Sequence, residues 1–369
     1  MKKILIGTTA LLSAAAFAST AQASDPVKLQ LGGYLEYYVV GAHQDDSYKD
    51  ANAVNNFDVQ GESEIWFLGQ TTLDNGLTVG VRVELEGGSD HDGANDIIDE
   101  SYVFVSGKFG KLELGSTDNA AYKMRAVAPN ASYSEVDDDS IPRYQAIPGD
   151  VTDNITDLGF DGDSNKISYF TPKFHGLQAG VSYSASNNAN GDDGIANSET
   201  VAKVANFDEA WSFGLSYDRE IGPVGLLATA GYTLANGNST AGFSEDVSDW
   251  AFGLNLTYQG FTLGGAYRVI SAPVGSFAEG NDGYAWDAGL MYAEGPYAVS
   301  VNYRKSGARG DAGTAGKDTI DTYALGAKYT LGTGVDLFGQ LAYAQYDAEG
   351  GEQDNAGAFG GLVGIHLDF

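Results

Sequence analysis

The sequence contains no cysteine, which excludes disulfide bonds, thiol nucleophiles and cysteine-ligated metals. Proline is rare, at 8 of 369 residues, and 20 lysines and arginines stand against 50 aspartates and glutamates. The net charge of −30 argues against nucleic acid and other polyanions as partners. Beyond the N-terminus, no apolar run reaches the roughly 18 residues that a membrane-spanning helix needs. These absences exclude a disulfide framework, thiol chemistry, nucleic acid as a partner and a membrane-spanning helix beyond the N-terminus.

The N-terminal residues form a distinct segment. Two lysines precede an apolar and small-residue stretch from Ile4 to Ala18, and an Ala-Gln-Ala cleavage site follows. This order is typical of a secretory signal peptide, and the apolar stretch is too short for a transmembrane anchor. We therefore predict a signal peptide over residues 1–23 and one mature domain over residues 24–369.

Glycine (50 residues) and tyrosine (22 residues) are abundant, and the mature chain shows a strict period of two. In "LTVGVRVELE", "WAFGLNLTYQ" and "YAVSVNYR", apolar side chains alternate with small, polar or charged ones. This alternation indicates β-strands with one apolar and one polar face. Sixteen such segments follow one another. Their predicted first residues are Val27, Asp58, Leu77, Ile97, Lys111, Asn165, Leu177, Asp208, Pro223, Asp246, Gly260, Gly283, Pro296, Thr319, Gly334 and Ala358.

The connections between the segments favour one all-β architecture. Short turns alternate with longer acidic loops, the strand number is even, and the quoted apolar faces carry no charged residue. A strand of about ten residues, tilted near 45°, spans the roughly 25 Å apolar band of an outer membrane. We therefore predict a sixteen-stranded antiparallel transmembrane β-barrel. The alternative is a secreted soluble β-sheet binding protein built as a sandwich.

The C-terminus supports the barrel. Val363, Ile365, Leu367 and Phe369 continue the apolar alternation to the last residue, although a free terminus is normally frayed and polar. A barrel has no free edge only if its last strand pairs with its first. We therefore expect the last strand to pair with the segment that starts near Val27.

Three stretches carry a family resemblance: "ESEIWFLGQTTLDNGLTVGVRVE", "ESYVFVSGKFGKLELGSTDN" and "NKISYFTPKFHGLQAGVSYS". In them, and over essentially the whole mature length, the chain resembles the general porins of Gram-negative outer membranes. The resemblance implies a homotrimer of barrels, with the third loop, about residues 116–163, folded into each lumen as a constriction. It also implies that Phe369 is the outer-membrane assembly signal. Glu64 stands where the family commonly has a basic residue.

The charged residues are the main functional signal. The four histidines are scattered, and no nucleophile elbow or phosphate loop is present, so we expect no enzymatic activity. Strand parity and the third loop together predict a charged pore lining, whose opposed charges would create a field across the lumen. Its excess of carboxylates predicts a cation-selective channel for passive diffusion of ions and small hydrophilic solutes. The predicted lining residues are Glu64, Arg82, Glu84, Asp118, Glu135, Asp137, Asp138, Asp139, Lys166, Arg268, Arg304 and Lys328.

Two further hypotheses remain open. A substrate-specific channel would need an aromatic array along the pore, and the inward-facing Trp66 is the only sign of one. The oxygen-rich stretches "DHDGAND" and "DGDSN" offer candidate calcium ligands, although neither has a complete EF-hand pattern, and solvated turns are the favoured explanation of both. The candidate ligands are Asp90, Asp92 and Asp96 in the first stretch and Asp161 and Asp163 in the second.

Overall fold

In the computed structural model, the described residues form β-strands and one short helix, α1 (Ala120–Lys123). The described residues are 26–44, 55–87, 98–136, 145–148, 151–159, 161–186, 207–237, 246–272, 282–310, 314–350 and 357–369. The strands are β1 (Lys28–Gln44), β2 (Phe57–Thr72), β3 (Thr78–Glu86), β4 (Ile98–Gly107), β5 (Gly110–Ser116), β6 (Asn165–Phe170), β7 (Leu177–Ser186), β8 (Phe207–Ile221), β9 (Val224–Gly237), β10 (Val247–Tyr258), β11 (Phe261–Ser271), β12 (Gly283–Glu294), β13 (Tyr297–Ala308), β14 (Asp318–Gly332), β15 (Val335–Asp347) and β16 (Gly357–Asp368).

The predicted strands are confirmed. All sixteen are present, and each begins within one residue of its predicted start. Within the described ranges, no helix has the length and apolar character needed to cross a membrane. The predicted signal peptide, residues 1–23, lies outside those ranges.

The strands close into a barrel in which every neighbour is antiparallel and β1 pairs with β16. The pairing extends to the last residue, since Phe369 N donates to Gly33 O and Gly33 N donates to Phe369 O, both at 3.0 Å. A closed sheet leaves no unpaired edge. The predicted sixteen-stranded barrel is therefore confirmed, and the soluble sandwich is wrong.

The wall of the barrel has two chemically different faces. On β10, Trp250 and Phe252 are 37% and 56% exposed, whereas Asp249 and Ala251, which alternate with them, are buried. The same alternation is clear on β13 and β15, because successive side chains of a strand point to opposite faces. We call the side with exposed Phe, Leu, Val and Tyr residues the apolar face and the opposite side the polar face. A continuous apolar surface of this extent is typical of contact with lipid.

The connection between β5 and β6, residues 117–164, follows the fifth strand as predicted. We call it the β5–β6 segment. It begins with α1, whose N-cap Asn119 accepts a hydrogen bond from Tyr122 N at 3.0 Å. The helix packs against β6, β7, β8 and β9. The segment is therefore held against the wall from its first turn onward.

Candidate pore constriction

Side chains of the polar face bind the start of the β5–β6 segment. Ala120 N donates to Ser182 Oγ on β7 at 2.8 Å, and Ala121 N donates to Ser212 Oγ on β8 at 2.9 Å. These two N–H groups lie in the first turn of α1, where no intrahelical acceptor is available. Gly214 permits the contact, because a Cβ there would lie 2.6 Å from Ala120 O. Small residues on the wall thus provide both the acceptors and the space for the helix.

The segment then crosses the polar face toward β15. Its backbone N–H groups at Ala126, Ala128 and Ala131 donate to Thr229 on β9, Asp287 on β12 and Ser300 on β13, at 3.2, 2.8 and 3.0 Å. Tyr133 reaches β15, where its hydroxyl donates to Asp336 Oδ2 at 2.6 Å. Residues further along the segment therefore bind strands further around the wall.

The second half of the segment returns along the same face. Gln145 Nε2 donates to Ala342 O on β15 at 2.8 Å, and Thr152 N donates to Asp318 Oδ2 on β14 at 2.8 Å. Asn154 N donates to Ser306 Oγ on β13 at 3.2 Å. The described parts of both halves are thus bound to the polar face by side-chain hydrogen bonds. Asp137, Asp138 and Asp139 lie between the two halves, outside the described residues.

Three of the predicted lining bases bind the segment. Arg304 donates to both carboxylate oxygens of Asp153, at 3.0 and 2.7 Å, and to Asn154 O at 2.7 Å. Lys166 donates to Gly162 O at 2.6 Å and lies 3.5 Å from the carboxylate of Asp161. Both basic side chains are at most 3% exposed. Their charges therefore neutralise acids of the segment, and little of either side chain contacts solvent.

Arg268 is the third of these bases. Its Nε and Nη2 donate to Asp249 Oδ2 at 2.9 and 2.5 Å, and its Nη1 donates to Ile155 O at 3.1 Å. The side chains of Arg268 and Asp249 are 2% and 1% exposed. A buried charge of this kind needs a partner of opposite sign, and Asp249 provides it.

Most of the other predicted lining residues that the structure describes have more access to solvent. Arg82 and Lys328 are each 31% exposed, and Glu64 and Glu135 are half-buried. Glu84 is buried beside Arg82, with which it forms an ion pair. The three buried bases that hold the segment therefore differ from Arg82, Lys328, Glu64 and Glu135, which are partly exposed.

The sequence interpretation missed a group of residues beside α1. Lys123 Nζ lies 3.2 Å from Glu113 and 3.7 Å from Glu100, and 4.8 Å from the centre of the Tyr102 ring. Glu100 and Glu113 are buried on the polar face of β4 and β5. Strand parity could have placed both glutamates on that face, but nothing in the pattern indicated that the helix brings a lysine to them.

Trp66 lies against the wall of the barrel. It pairs with Gly32 of β1, and a Cβ at Gly32 would overlap the indole. The Arg82 guanidinium lies 5.1 Å from the ring centre, and the Tyr34 ring lies 6.4 Å away. The hypothesis of a substrate-specific channel stays a prediction, now with a second aromatic residue next to Trp66.

An acidic group lies where the segment joins the wall. Carboxylate oxygens of Glu100, Asp118 and Asp163 lie within 4.8 Å of one another. Burial, together with the charge of Glu100, raises the pKa of Asp118 to about 7. Burial and the neighbouring Asp118 raise the pKa of Asp163 to about 8. Both carboxyls therefore change charge near neutral pH.

The two candidate calcium ligands that the structure describes, Asp161 and Asp163, belong to different groups. Asp163 belongs to this acidic group, whereas Asp161 accepts a hydrogen bond from Asn119 Nδ2 at 2.5 Å and lies beside Lys166. Carboxylate oxygens are the ligands that Ca²⁺ takes, but Lys123 already supplies positive charge to Glu100. Asp90, Asp92 and Asp96 lie outside the described residues.

Comparison with known proteins gives a consistent result. The profile of the Gram-negative porin family matches residues 8–349. An outer membrane porin protein of Bordetella pertussis is 26% identical over 369 residues, covering 96% of this chain and 88% of that protein. A monosaccharide porin of a Halomonas species is 23% identical, covering 93% of this chain and 80% of that protein.

Solved structures show the same fold. A porin refined at 1.8 Å superposes with a TM-score of 0.60 at 18% identity, covering 93% of this chain and all of that one. The anion-selective porin of Comamonas acidovorans also gives a TM-score of 0.60, at 17% identity and with the same coverage. This fold and family are those of non-enzymatic channels. The profile match, the sixteen-stranded closed barrel and its apolar outer wall establish that the chain belongs to the Gram-negative porin family and crosses the outer membrane with its strands.

Proposed function

We propose that the protein is a passive diffusion channel for ions and small hydrophilic solutes, with a preference for cations, and that it functions as a homotrimer after removal of residues 1–23. The proposal rests mainly on the binding of the β5–β6 segment to the polar face. The segment binds β7 first, then β15, and on its return β13. In an outer-membrane barrel the apolar face contacts lipid, so the polar face encloses the pore. A segment bound to that face narrows the pore and acts as its constriction.

Reconstitution in a planar bilayer tests the channel directly. The purified protein should produce stepwise, ohmic increases in current in KCl, because a water-filled pore conducts without energy coupling. Heat-denatured protein provides the control. Absence of current steps from protein that still migrates as a folded barrel would contradict the channel proposal.

Charge pairing on the polar face supports the preference for cations. The six bases below each lie within ion-pair distance of a carboxylate, so the pairs contribute no net charge. Glu64 and Glu135, joined by Asp118 and Asp163 when these are ionised, then outweigh Arg125, a further base of the described part of the segment. A net negative constriction attracts cations and repels anions. The pairs are Arg82–Glu84, Lys123–Glu113, Lys166–Asp161, Arg268–Asp249, Arg304–Asp153 and Lys328–Asp336.

Neutralising the partly exposed acids should reduce the preference. We expect the Glu64→Gln/Glu135→Gln double variant to lower the cation-to-anion permeability ratio about twofold to fivefold, since each charge lies where ions pass. The zero-current potential under a KCl gradient measures this ratio. Glu294→Gln, at an exposed strand end away from the segment, is the matched control. An unchanged ratio in the double variant, or anion preference in the parent, would contradict the charge argument.

The preference should also depend on pH. Asp118 and Asp163 have folded pKa values of about 7 and about 8, so both are neutral in acid and ionise as the pH rises through this range. Cation preference should therefore increase from about pH 6 to about pH 9, where carboxyls of ordinary pKa are already ionised. The Asp118→Asn/Asp163→Asn variant should show a smaller increase. Equal pH dependence in parent and variant would assign the titration to other groups.

A further inference from the structure

One imidazole lies where the barrel closes. His366 is on the polar face of β16, opposite Glu36 of β1 and Asp336 of β15, and is 6% exposed. Its Nδ1 lies 3.0 Å from Glu36 Oε2, and its Nε2 lies 3.1 Å from Asp368 Oδ1. Both ring nitrogens thus have a carboxylate at hydrogen-bond distance.

The same ring contacts the β5–β6 segment. Tyr133 stacks on His366 with ring centres 3.8 Å apart and planes 6° from parallel. Tyr34 of β1 lies on the imidazole as well, at 5.4 Å and 14°. The Tyr133 hydroxyl also donates to Asp336, and Lys328 Nζ lies 3.0 Å from that carboxylate. The segment is therefore attached to the closing strands through His366 and Asp336.

The geometry fits the doubly protonated form of the imidazole. A neutral imidazole carries one N–H, and an ionised carboxylate only accepts hydrogen bonds. An imidazolium can donate to Glu36 and Asp368 at once, whereas a neutral imidazole can donate to only one of them. A cationic ring also attracts the face of a tyrosine. Loss of one proton would leave a nitrogen lone pair directed at a carboxylate and weaken the stack on Tyr133.

We propose that His366 is a pH-sensitive attachment point for the β5–β6 segment: the imidazolium holds Tyr133 against the closing strands, and its deprotonation releases the segment around residues 131–136. The direction of the pH dependence follows from the number of N–H groups on the ring. The segment is attached in acid, when both nitrogens carry a proton, and is released as the pH rises. The proposal rests on the contacts of the segment and not on which ions or solutes pass the pore. The titratable groups that face His366 are Glu36 and Tyr34 from β1, Asp368 from β16, Asp336 from β15, Lys328 from β14 and Tyr133 from the segment.

A single engineered thiol can report the release. The chain has no cysteine, and Ser134, next to Tyr133, is 5% exposed with no hydrogen-bond partner for its Oγ. Ser134→Cys is therefore close to isosteric and adds one buried thiol. The rate of its reaction with a water-soluble methanethiosulfonate is measured across about pH 5 to about pH 9, where an ordinary histidine changes charge. The thiol also becomes more reactive as it ionises with rising pH. Because every variant carries the same thiol, the ratio of rates between two variants removes this effect.

Two variants give different expectations, one for the rate of the reporter reaction and one for the pH at which that rate rises. With His366→Gln the side chain is never cationic, so the reporter should react rapidly at every pH, and the parent should react about tenfold more slowly in acid and equally fast in alkali. With Glu36→Gln the imidazolium loses a carboxylate that stabilises it, so the reporter should become reactive at a lower pH than in the parent. Folding of every variant is checked by its heat-modifiable mobility. His43→Gln, on β1 away from the cluster, should behave as the parent.

Three results would overturn the proposal. One is a parent-to-His366→Gln rate ratio that stays constant across the pH range. Another is a Glu36→Gln variant in which the reporter becomes reactive at the same pH as in the parent. If His366→Gln fails to fold, Tyr133→Ala replaces it, because loss of the stacked ring should expose the reporter at every pH. Protection of the reporter in Tyr133→Ala equal to that in the parent would be the third.

Discussion

Deletion of Phe369 is expected to remove most of the folded barrel from the outer membrane. The deletion takes away the last two backbone hydrogen bonds between β16 and β1, those joining Phe369 and Gly33. Each such bond contributes about 0.5–1.5 kcal/mol, so the closing pair loses about 1–3 kcal/mol. It also removes an aromatic ring that is 62% exposed on the apolar face and that the family resemblance identifies as the assembly signal. The yield of heat-modifiable barrel should fall roughly tenfold or more, since about 1.4 kcal/mol is a factor of ten.

A second aromatic residue on the same strand tests whether the terminal position of Phe369 or the mere presence of an apolar ring matters. Phe359 is 54% exposed on the apolar face of β16, at the opposite end of the strand from Phe369. Phe359→Ala removes a ring of the same kind but leaves the terminal pairing with Gly33 intact, so the yield should remain near that of the parent. Equal losses in both variants would show that general apolar area, and not the terminal residue, controls insertion. Undiminished yield after deletion of Phe369 would contradict the prediction outright.

The strands could be predicted from the sequence because the membrane restricts every second residue. A charged residue on the lipid-facing side costs about 2–4 kcal/mol at mid-membrane for Lys or Arg, so the apolar face has a clear period of two. The closure of β16 on β1 followed from the same pattern at Val363 and Phe369. Both predictions rest on solvent preference alone, which is a local property of the chain.

The placement of the β5–β6 segment could not be predicted in the same way. Ser182, Ser212 and Ser300 bind its backbone, yet in the sequence they are ordinary small residues of a polar face. Strand parity gives the side of the wall on which Arg268 and Arg304 lie, but not whether another segment covers them. That depends on long-range contacts between residues more than a hundred positions apart, such as Arg304 and Asn154. Periodicity carries no information about such contacts.

Replacement of Arg268 by methionine is expected to destabilise the barrel strongly. The change leaves Asp249, whose side chain is 1% exposed, without its counter-ion. Removing one partner of a buried ion pair costs about 3–5 kcal/mol, because the remaining charge stays desolvated. It also removes the hydrogen bond from Arg268 Nη1 to Ile155 O, which holds the returning half of the segment. We therefore expect a lower unfolding midpoint, measured by heat-modifiable mobility, together with a higher single-channel conductance.

The Arg268→Met/Asp249→Leu variant separates the two effects. Replacing a buried ion pair by apolar side chains of similar volume is often neutral, so the unfolding midpoint should return toward that of the parent. The hydrogen bond to Ile155 O stays absent, so the raised conductance should persist. Lys173→Met is the matched control, because its ion pair with Asp218 is more than half exposed on both sides and exposed pairs contribute about 0–1 kcal/mol. A parent-like midpoint and conductance in Arg268→Met would show that the ion pair neither stabilises the wall nor holds the segment.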